Sequence, residues 1–155
     1  MAAPERLVGV VSDTHGLLRP ELVKALQGVE RIVHAGDVGS PSVLEELRAI
    51  APVVAVRGNN DRGPWASQLP VTQVVEVGEA LLYLIHDLGE LDLDQAAAGF
   101  HAVVSGHSHQ PKLERRDGVL YLNPGSIGPR RFKLPIAFAL LRVTGLVVEA
   151  KIVEL

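Results

Sequence analysis

The stretch LVGVVSDTH, at residues 7–15, decides the fold. Its short continuous apolar run, residues 7–11, predicts a strand buried on both faces, and the run leads directly into the polar residues Asp13 and His15. A helix is predicted at 20–26, after this strand, and further strands are predicted at 31–34 and 53–56. Between those strands, Ser40-Pro41 predicts the start of a second helix, with serine at the N-cap and proline at the first helical position. Strand, helix, strand, helix, strand is the pattern of a parallel sheet.

The second half of the chain changes to antiparallel signals. Three pairs of short segments flank turn dipeptides, namely 71–77 with 80–85, 113–116 with 119–122, and 136–143 with 146–153, and each pair predicts a hairpin. A helix is predicted at 91–98 and a buried strand at 102–105. Parallel units followed by hairpins indicate one domain over residues 1–155 in the α/β (α+β) class. The expected architecture is a four-layer αββα sandwich of two mixed β-sheets flanked by helices.

Composition excludes several classes of protein. The 155 residues carry 15 basic and 18 acidic side chains, a net charge of −3, which argues against a nucleic acid as a stable partner. Cysteine is absent, so there is no disulfide framework and no cysteine nucleophile, which suits the cytoplasm. The longest apolar runs are too short to span a bilayer, and we expect no membrane partner and no signal peptide.

Polar side chains that can bind metals follow the predicted strands. Because ligand sites of open α/β sheets lie beyond the carboxyl ends of the strands, these groups are expected to converge. They are Asp13 and His15 after the first strand, Asp37 after the second, Asn59, Asn60 and Asp61 after the third, His86 after a hairpin strand, and His107 and His109 after the strand at 102–105.

Each of these pieces alone has a simpler interpretation. An Asp-x-His pair or a Gly-Asn-Asn-Asp run is often only a turn, and His86 is as consistent with a hydrogen-bonded core histidine as with a ligand. His34 and His101 are placed inside strands and favour structural roles. The Arg130-Arg131 pair is typical of a solvated loop. The pattern Gly106-His107-Ser108-His109 is the most specific single metal signal.

Taken in order, the motifs Asp-x-His, Gly-Asp, Gly-Asn-Asn-Asp, His and Gly-His-Ser-His span residues 13–109. In this order they resemble the calcineurin-like metallophosphoesterase superfamily. The later run Asn123-Pro124-Gly125-Ser126 is similar to a loop of its small bacterial and archaeal phosphodiesterase (YfcE-like) branch. The fold expected above is the one that this resemblance implies.

The resemblance implies a dinuclear metal centre. Asp13, His15 and His109 would hold one ion, a second set would hold the other, and Asp37 would bridge the two. The second set comprises Asn59, His86 and His107. Carboxylate, imidazole and amide ligands suit two divalent transition-metal ions, with Mn first and Fe, Zn, Ni or Co as alternatives. The implied activity is a metal-dependent phosphodiesterase that acts on a small-molecule diester, with a bridging hydroxide as the nucleophile.

Two positions depart from the wider superfamily. Asn60 stands where many members have a histidine that protonates the leaving oxygen, and an amide cannot do this at neutral pH. Asp87 follows His86 where many relatives have glycine. We predict catalytic roles for Asp37, Asn59 and Asn60, and substrate contacts for the three residues Asn60, Ser126 and Arg130.

Two other functions are compatible with the same motifs. A non-catalytic protein-interaction scaffold is known on this fold in the retromer sorting subunit, although such proteins tend to lose ligand positions, and all seven are ligand-competent here. A phosphomonoesterase or cyclic-nucleotide phosphodiesterase would use the same metal cluster. The apolar hairpins leave edges that could pair, so a homo-oligomer is expected.

Overall fold

The computed structural model describes residues 4–90, 99–131 and 133–155. Within them lie two five-stranded sheets and three short α-helices. The strands in chain order are β1 (Glu5–Val11), β2 (Arg31–His34), β3 (Val53–Ala55), β4 (Thr72–Val77), β5 (Ala80–Ile85), β6 (Ala102–Val104), β7 (Lys112–Arg116), β8 (Val119–Asn123), β9 (Ala137–Thr144) and β10 (Val147–Glu154). The helices are α1 (Pro20–Ala25), α2 (Pro41–Arg48) and α3 (Pro64–Ser67).

The first sheet has the strand order β10-β9-β1-β2-β3. Strands β1, β2 and β3 run parallel, and β9 pairs antiparallel with both β1 and β10. The sequence predicted this mixture, because helices connect the parallel strands and a tight turn connects β9 to β10. Because β1, β2 and β3 run parallel, their carboxyl ends lie on the same edge of the sheet.

The second sheet has the order β4-β5-β6-β8-β7. Strands β5, β6 and β8 run parallel, and β4 and β7 flank them as antiparallel hairpin partners. All three predicted hairpins are therefore present. Both sheets are mixed, which confirms the predicted fold class.

The main core lies between the two sheets. Val8, Val10, Leu82, Val104 and Leu122 are buried there, each with at most 1% of its surface exposed. Fully burying such side chains contributes about 1.5–3 kcal/mol each. The outer face of the first sheet packs against α1 and α2 through a second buried cluster that includes Leu22, Leu26, Val43, Leu44 and Leu47.

Some local predictions needed correction. The sequence analysis did not predict α3 or the 3-10 turn Leu88–Glu90, because a single turn is too short to show a periodic apolar pattern. His101 lies one residue before β6 rather than inside a strand. The helix predicted at 91–98 lies outside the described residues. Among the helices that are described, none is long and apolar enough to cross a membrane.

Candidate metal centre

Five strand ends meet at one place between the two sheets. From the first sheet, β1 leads to Asp13 and β2 leads to Asp37, while Asn59 follows β3. From the second sheet, β5 leads directly to His86, and β6 leads to the loop 105–109 that contains His107 and His109. The predicted convergence is thus present, and the cluster draws on both sheets.

The carboxylate of Asp13 is the centre of one group. Its Oδ1 lies 3.3 Å from Nε2 of His109, 3.8 Å from Nε2 of His15 and 3.9 Å from Nε2 of His86. Within the described part of the chain, this Oδ1 is buried and has no hydrogen-bond partner. An unpartnered buried carboxylate oxygen is costly, so its position facing three imidazole nitrogens fits a divalent cation.

Asp37 faces the same space from the neighbouring strand. Its Oδ2 lies 3.3 Å from Nε2 of His86 and 3.8 Å from Nε2 of His15. The backbone N–H of Asn60 donates to Oδ1 at 2.8 Å, and the Asn60 side-chain amide donates to Oδ2 at 3.1 Å. The side chain of Asn60, expected to contact substrate, therefore also holds this carboxylate in place.

Asn59 joins the remaining histidine, His107, to the cluster through His86. Its Oδ1 lies 3.0 Å from Nε2 of His86 and 3.2 Å from Nδ1 of His107. All seven residues proposed as ligands are therefore connected. Among the described residues, two groups bring their carboxylate and imidazole atoms within 4.8 Å of one another and could hold an ion, namely Asp13 with His15 and His109, and Asp13 with Asp37 and His86. Asp13 belongs to both groups, so the bridging role assigned to Asp37 stays a prediction.

Backbone conformation sets this region apart. Six described non-glycine residues have a positive φ, and five of them belong to the cluster. Left-handed backbone is unfavourable for side-chain-bearing residues and concentrates at functional sites. The surrounding structure therefore holds these side chains in place against a local backbone cost. The five are Asp13 (56°), His15 (47°), Asp37 (55°), His107 (71°) and His109 (62°).

The sequence matches a known domain over most of its length. Residues 7–145 match the family model described as the calcineurin-like phosphoesterase superfamily domain. The chain belongs to the calcineurin-like phosphoesterase superfamily. A probable metallophosphoesterase of Methanothermobacter thermautotrophicus is 36% identical over an alignment that covers 96% of this chain and 92% of the relative.

Solved structures of similar fold include both an enzyme and a sorting protein. An archaeal phosphodiesterase superimposes with a TM-score of 0.79 at 25% identity, covering 96% of this chain and 99% of that structure. Vps29 of Chaetomium thermophilum superimposes with a TM-score of 0.79 at 20% identity, covering 97% of both chains. The second likeness establishes the fold alone.

Hydrogen bonds orient the candidate ligand atoms of this calcineurin-like domain. His86 Nδ1 lies 2.8 Å from the carbonyl oxygen of Ala35, so this nitrogen donates its proton to the carbonyl. Nε2 then carries the lone pair and points at Asp37 and Asn59. A histidine whose far nitrogen is fixed in this way is typical of metal ligands.

The charge state of the two carboxylates follows from opposing effects. Burial raises the pKa of Asp13, but the His109 ring and the hydrogen bond from Ser12 outweigh burial and leave that pKa below its usual value. Burial likewise raises the pKa of Asp37, and contacts with His86 and Asn60 lower it by more. Both groups are therefore anionic at neutral pH and ready to bind a cation.

The imidazole pKa values diverge. Burial lowers the pKa of His86, but Asp37 and Asp13 raise it by more, so the net pKa lies above its ordinary value. For His15, burial outweighs the attraction of Asp37 and Asp13, and the pKa falls. The charges of His109 and Arg131 also lower the pKa of His15. The predicted substrate residue Arg130 is exposed, and its substrate contact stays a prediction.

Asp61, which the sequence analysis placed among the metal-capable groups, instead fixes the loops around the cluster. The carboxylate of Asp61 accepts backbone N–H groups from Val38 at 3.2 Å, Gly39 at 2.9 Å and Gly58 at 2.9 Å. It therefore joins the loop after β2 to the loop after β3. An aspartate closing a Gly-Asn-Asn-Asp turn was the available signal, since such side chains often bind backbone amides.

The run 123–126 performs the same task on the other side. The Asn123 amide donates to the carbonyl of Gly106 and to the hydroxyl of Ser108, both at 3.0 Å. Ser126 is buried, and its hydroxyl donates to the carbonyl of Asp13 at 3.1 Å. This bond supports the loop after β1, while the substrate contact expected of Ser126 stays a prediction.

The hydrogen bonds of His34 confirm the structural role favoured for this residue. Its Nδ1 accepts the N–H of Gly36 at 3.1 Å, so the proton is on Nε2, which donates to the hydroxyl of Thr14 at 3.0 Å. That hydroxyl donates to the carbonyl of Val38 at 2.7 Å. Both ring nitrogens of the neutral imidazole therefore have a hydrogen-bond partner. Complete burial lowers the pKa of His34 to about 4, although the nearby carboxylates of Asp13 and Asp61 raise it.

We expect acid to destabilise the metal-free protein through His34. The unfolded chain takes up the proton below about pH 6.5, whereas the folded chain does so only near pH 4, so the free energy of unfolding falls with pH across this window. Between about pH 7 and pH 5, protonation of His34 in the unfolded chain lowers the free energy of unfolding by about 2 kcal/mol. Urea unfolding in EDTA measures it. The variant His34→Gln is expected to lose that part of the pH dependence, and equal slopes in both proteins would contradict the assignment.

Proposed function

We propose that this protein is a metal-dependent phosphodiesterase with two divalent ions, of which Mn²⁺ is the first candidate. Asp13, His15 and His109 would hold one ion. Asn59, His86 and His107 would hold the other, and Asp37 would bridge them. The observation that carries the proposal is the buried, unpartnered Oδ1 of Asp13 facing three imidazole nitrogens.

The donor set suits a phosphate ester. When bound, two divalent ions would supply Lewis acidity that binds phosphoryl oxygens and makes a water acidic. Asp13 and Asp37 provide two negative charges against four positive ones, while Asn59 and the histidines are neutral ligands. The site thus keeps a positive charge that attracts an anionic substrate.

Asn60 would act on the substrate only by hydrogen bonding. Its amide cannot release a proton at neutral pH, and it already donates to Asp37. With no acid at this position, the leaving alkoxide or phenoxide would depart largely unprotonated. This favours diesters whose leaving groups are stable anions.

Protein scaffolding is the second candidate function. The structural likeness to Vps29 equals the likeness to the archaeal phosphodiesterase, with a TM-score of 0.79 for each, so the fold does not separate the two. The side chains support the enzyme, because all seven candidate ligands are present and linked by a chain of contacts. We therefore favour the enzyme.

The test is hydrolysis of a series of aryl methyl phosphodiesters by the purified protein loaded with Mn²⁺. We expect turnover that EDTA abolishes, with log kcat falling by about half a unit or more for each unit of leaving-group pKa. Single-turnover measurements establish that chemistry limits the rate. A flat dependence would contradict the missing acid, and failure to hydrolyse any diester or monoester would favour the scaffold.

A further inference from the structure

A cavity of about 300 Å³ lies beside His107, on the face of the second sheet that points away from the first. Its floor includes Tyr121 and Asn123, which are outward-facing neighbours on β8 and are both buried. His107 forms part of its wall, and the same ring contacts Asn59 at 3.2 Å. The cavity therefore begins at the candidate metal centre.

The rim of the cavity is charged but balanced. Lys112, Glu114 and Arg116 alternate along β7 and so share one face of this edge strand. Lys112 Nζ lies 3.2 Å from one carboxylate oxygen of Glu114, and Arg116 Nε lies 3.0 Å from the other. These hydrogen bonds lower the pKa of Glu114 to about 2, so it stays ionised. Asp87 lines the cavity too, and the four charges cancel.

A smaller cavity, of about 180 Å³, is lined by Asn59 and His86 of the candidate metal centre. Arg57, Val71 and Glu90 line it, and Asp87 borders both cavities. The contact between His107 and Asn59 joins a residue that lines the first cavity to a residue that lines the second. A phosphodiester carries two organic arms on one phosphorus, and a centre bordered by two cavities matches that shape.

We propose that the cavity beside His107 binds one alcohol arm of a phosphodiester and selects an uncharged, hydroxyl-bearing arm over an anionic one. The proposal rests on the proposed phosphodiesterase function and names the substrate class of that site.

The charges on the rim account for the selection. Lys112 and Arg116 offer hydrogen-bond donors, and Glu114 and Asp87 offer acceptors, so hydroxyl groups find partners of both kinds. A carboxylate or phosphate on the arm would meet the two acidic groups without a surplus of positive charge. The volume is at the small end for ligand sites and suits an arm of glycerol to sugar size.

Three p-nitrophenyl phosphodiesters with the same leaving group test this, with methyl, glyceryl or glycerate as the second arm. Glyceryl and glycerate differ by one carboxylate and otherwise match in size. With the Mn²⁺-loaded protein we expect a KM for the glyceryl ester about tenfold below that of the methyl ester. The KM of the glycerate ester is expected to be no lower than that of the methyl ester.

Reversing one rim charge should reverse the selection. Glu114→Lys gives the cavity a net charge of about +2, and we expect the KM of the glycerate ester to fall by about tenfold at low salt and to recover in high salt. Lys112→Glu should instead raise the KM of the glycerate ester. Glu46→Lys, an identical change on the exposed face of α2, is the control and should leave all three KM values unchanged. Thermal melting confirms that the variants fold.

The outcomes separate the two proposals. Hydrolysis of all three esters with equal KM values, unaffected by Glu114→Lys, would overturn the cavity assignment and leave the phosphodiesterase function standing. Hydrolysis of none of them would overturn both.

Discussion

Asp37→Ala is expected to lower kcat/KM for an aryl phosphodiester by at least about a thousandfold, equivalent to about 4 kcal/mol of transition-state stabilisation. The Asp37 carboxylate lies within 3.3 Å of His86 and 3.8 Å of His15, between the proposed ligand sets. Removing it takes away half of the negative charge that would hold the ions. Metal analysis after dialysis is expected to show less than the wild-type content of Mn²⁺.

Asp117→Asn is the control for the loss of one carboxylate charge. Asp117 occupies the turn between β7 and β8, away from the cluster, and asparagine tolerates the left-handed backbone there. We expect wild-type activity from it. Circular dichroism establishes that the Asp37→Ala variant is folded. If folded Asp37→Ala retained full activity and full metal content, the two-ion site would be wrong. The fold is expected to persist, because Asp37 contributes to the cluster and not to either core.

Gly106→Ala is expected to impair both folding and activity. A Cβ at this position would lie 2.0 Å from the hydroxyl of Ser12 and 2.7 Å from Oδ2 of Asp13, closer than any real contact allows. The loop after β6 must then move away from the loop after β1, and His107 and His109 move with it. Overpacking of this kind costs about 1–3 kcal/mol of stability, and a displacement of about 1 Å in the site costs about a hundredfold in kcat.

Gly89→Ala supplies the comparison. Its Cβ would lie 3.2 Å from the half-buried carboxylate of Asp87, which can shift, and this glycine lacks the positive φ that would strain alanine. We expect a change of less than about 0.5 kcal/mol in the free energy of unfolding, as for other substitutions near the surface. Equal effects of the two variants, by urea unfolding and by initial rates, would show that the close approach at Gly106 is unimportant.

The sequence could predict which residues meet, because a simple rule links strand ends to ligand sites. Apolar runs identified β1, β2 and β3, and the polar residue after each run was placed at a common edge. The hairpins followed from turn pairs such as Asp117-Gly118, whose two residues have the positive φ values that such turns need.

Other features depend on contacts between segments far apart in the chain. The three backbone amides that bind Asp61 come from two different loops, and the Ser126 hydroxyl reaches the carbonyl of a residue 113 positions earlier. No periodicity in the sequence encodes such distances. The side chain of Asn60 also turned towards Asp37, because one carboxylate can accept both its backbone and its side-chain N–H groups.

The origin of the cluster in both sheets has a thermodynamic consequence. Asp13 and Asp37 extend from the first sheet, and His86, His107 and His109 extend from the second. Each proposed ligand set therefore draws on both sheets, and an ion held by either set would tie the two halves of the sandwich together. Separating the halves would release that ion. The fraction of sites that hold metal would therefore set how cooperatively the sandwich melts. At a free ion concentration about a hundred times the dissociation constant, this tether would add about 2.7 kcal/mol to the folded state.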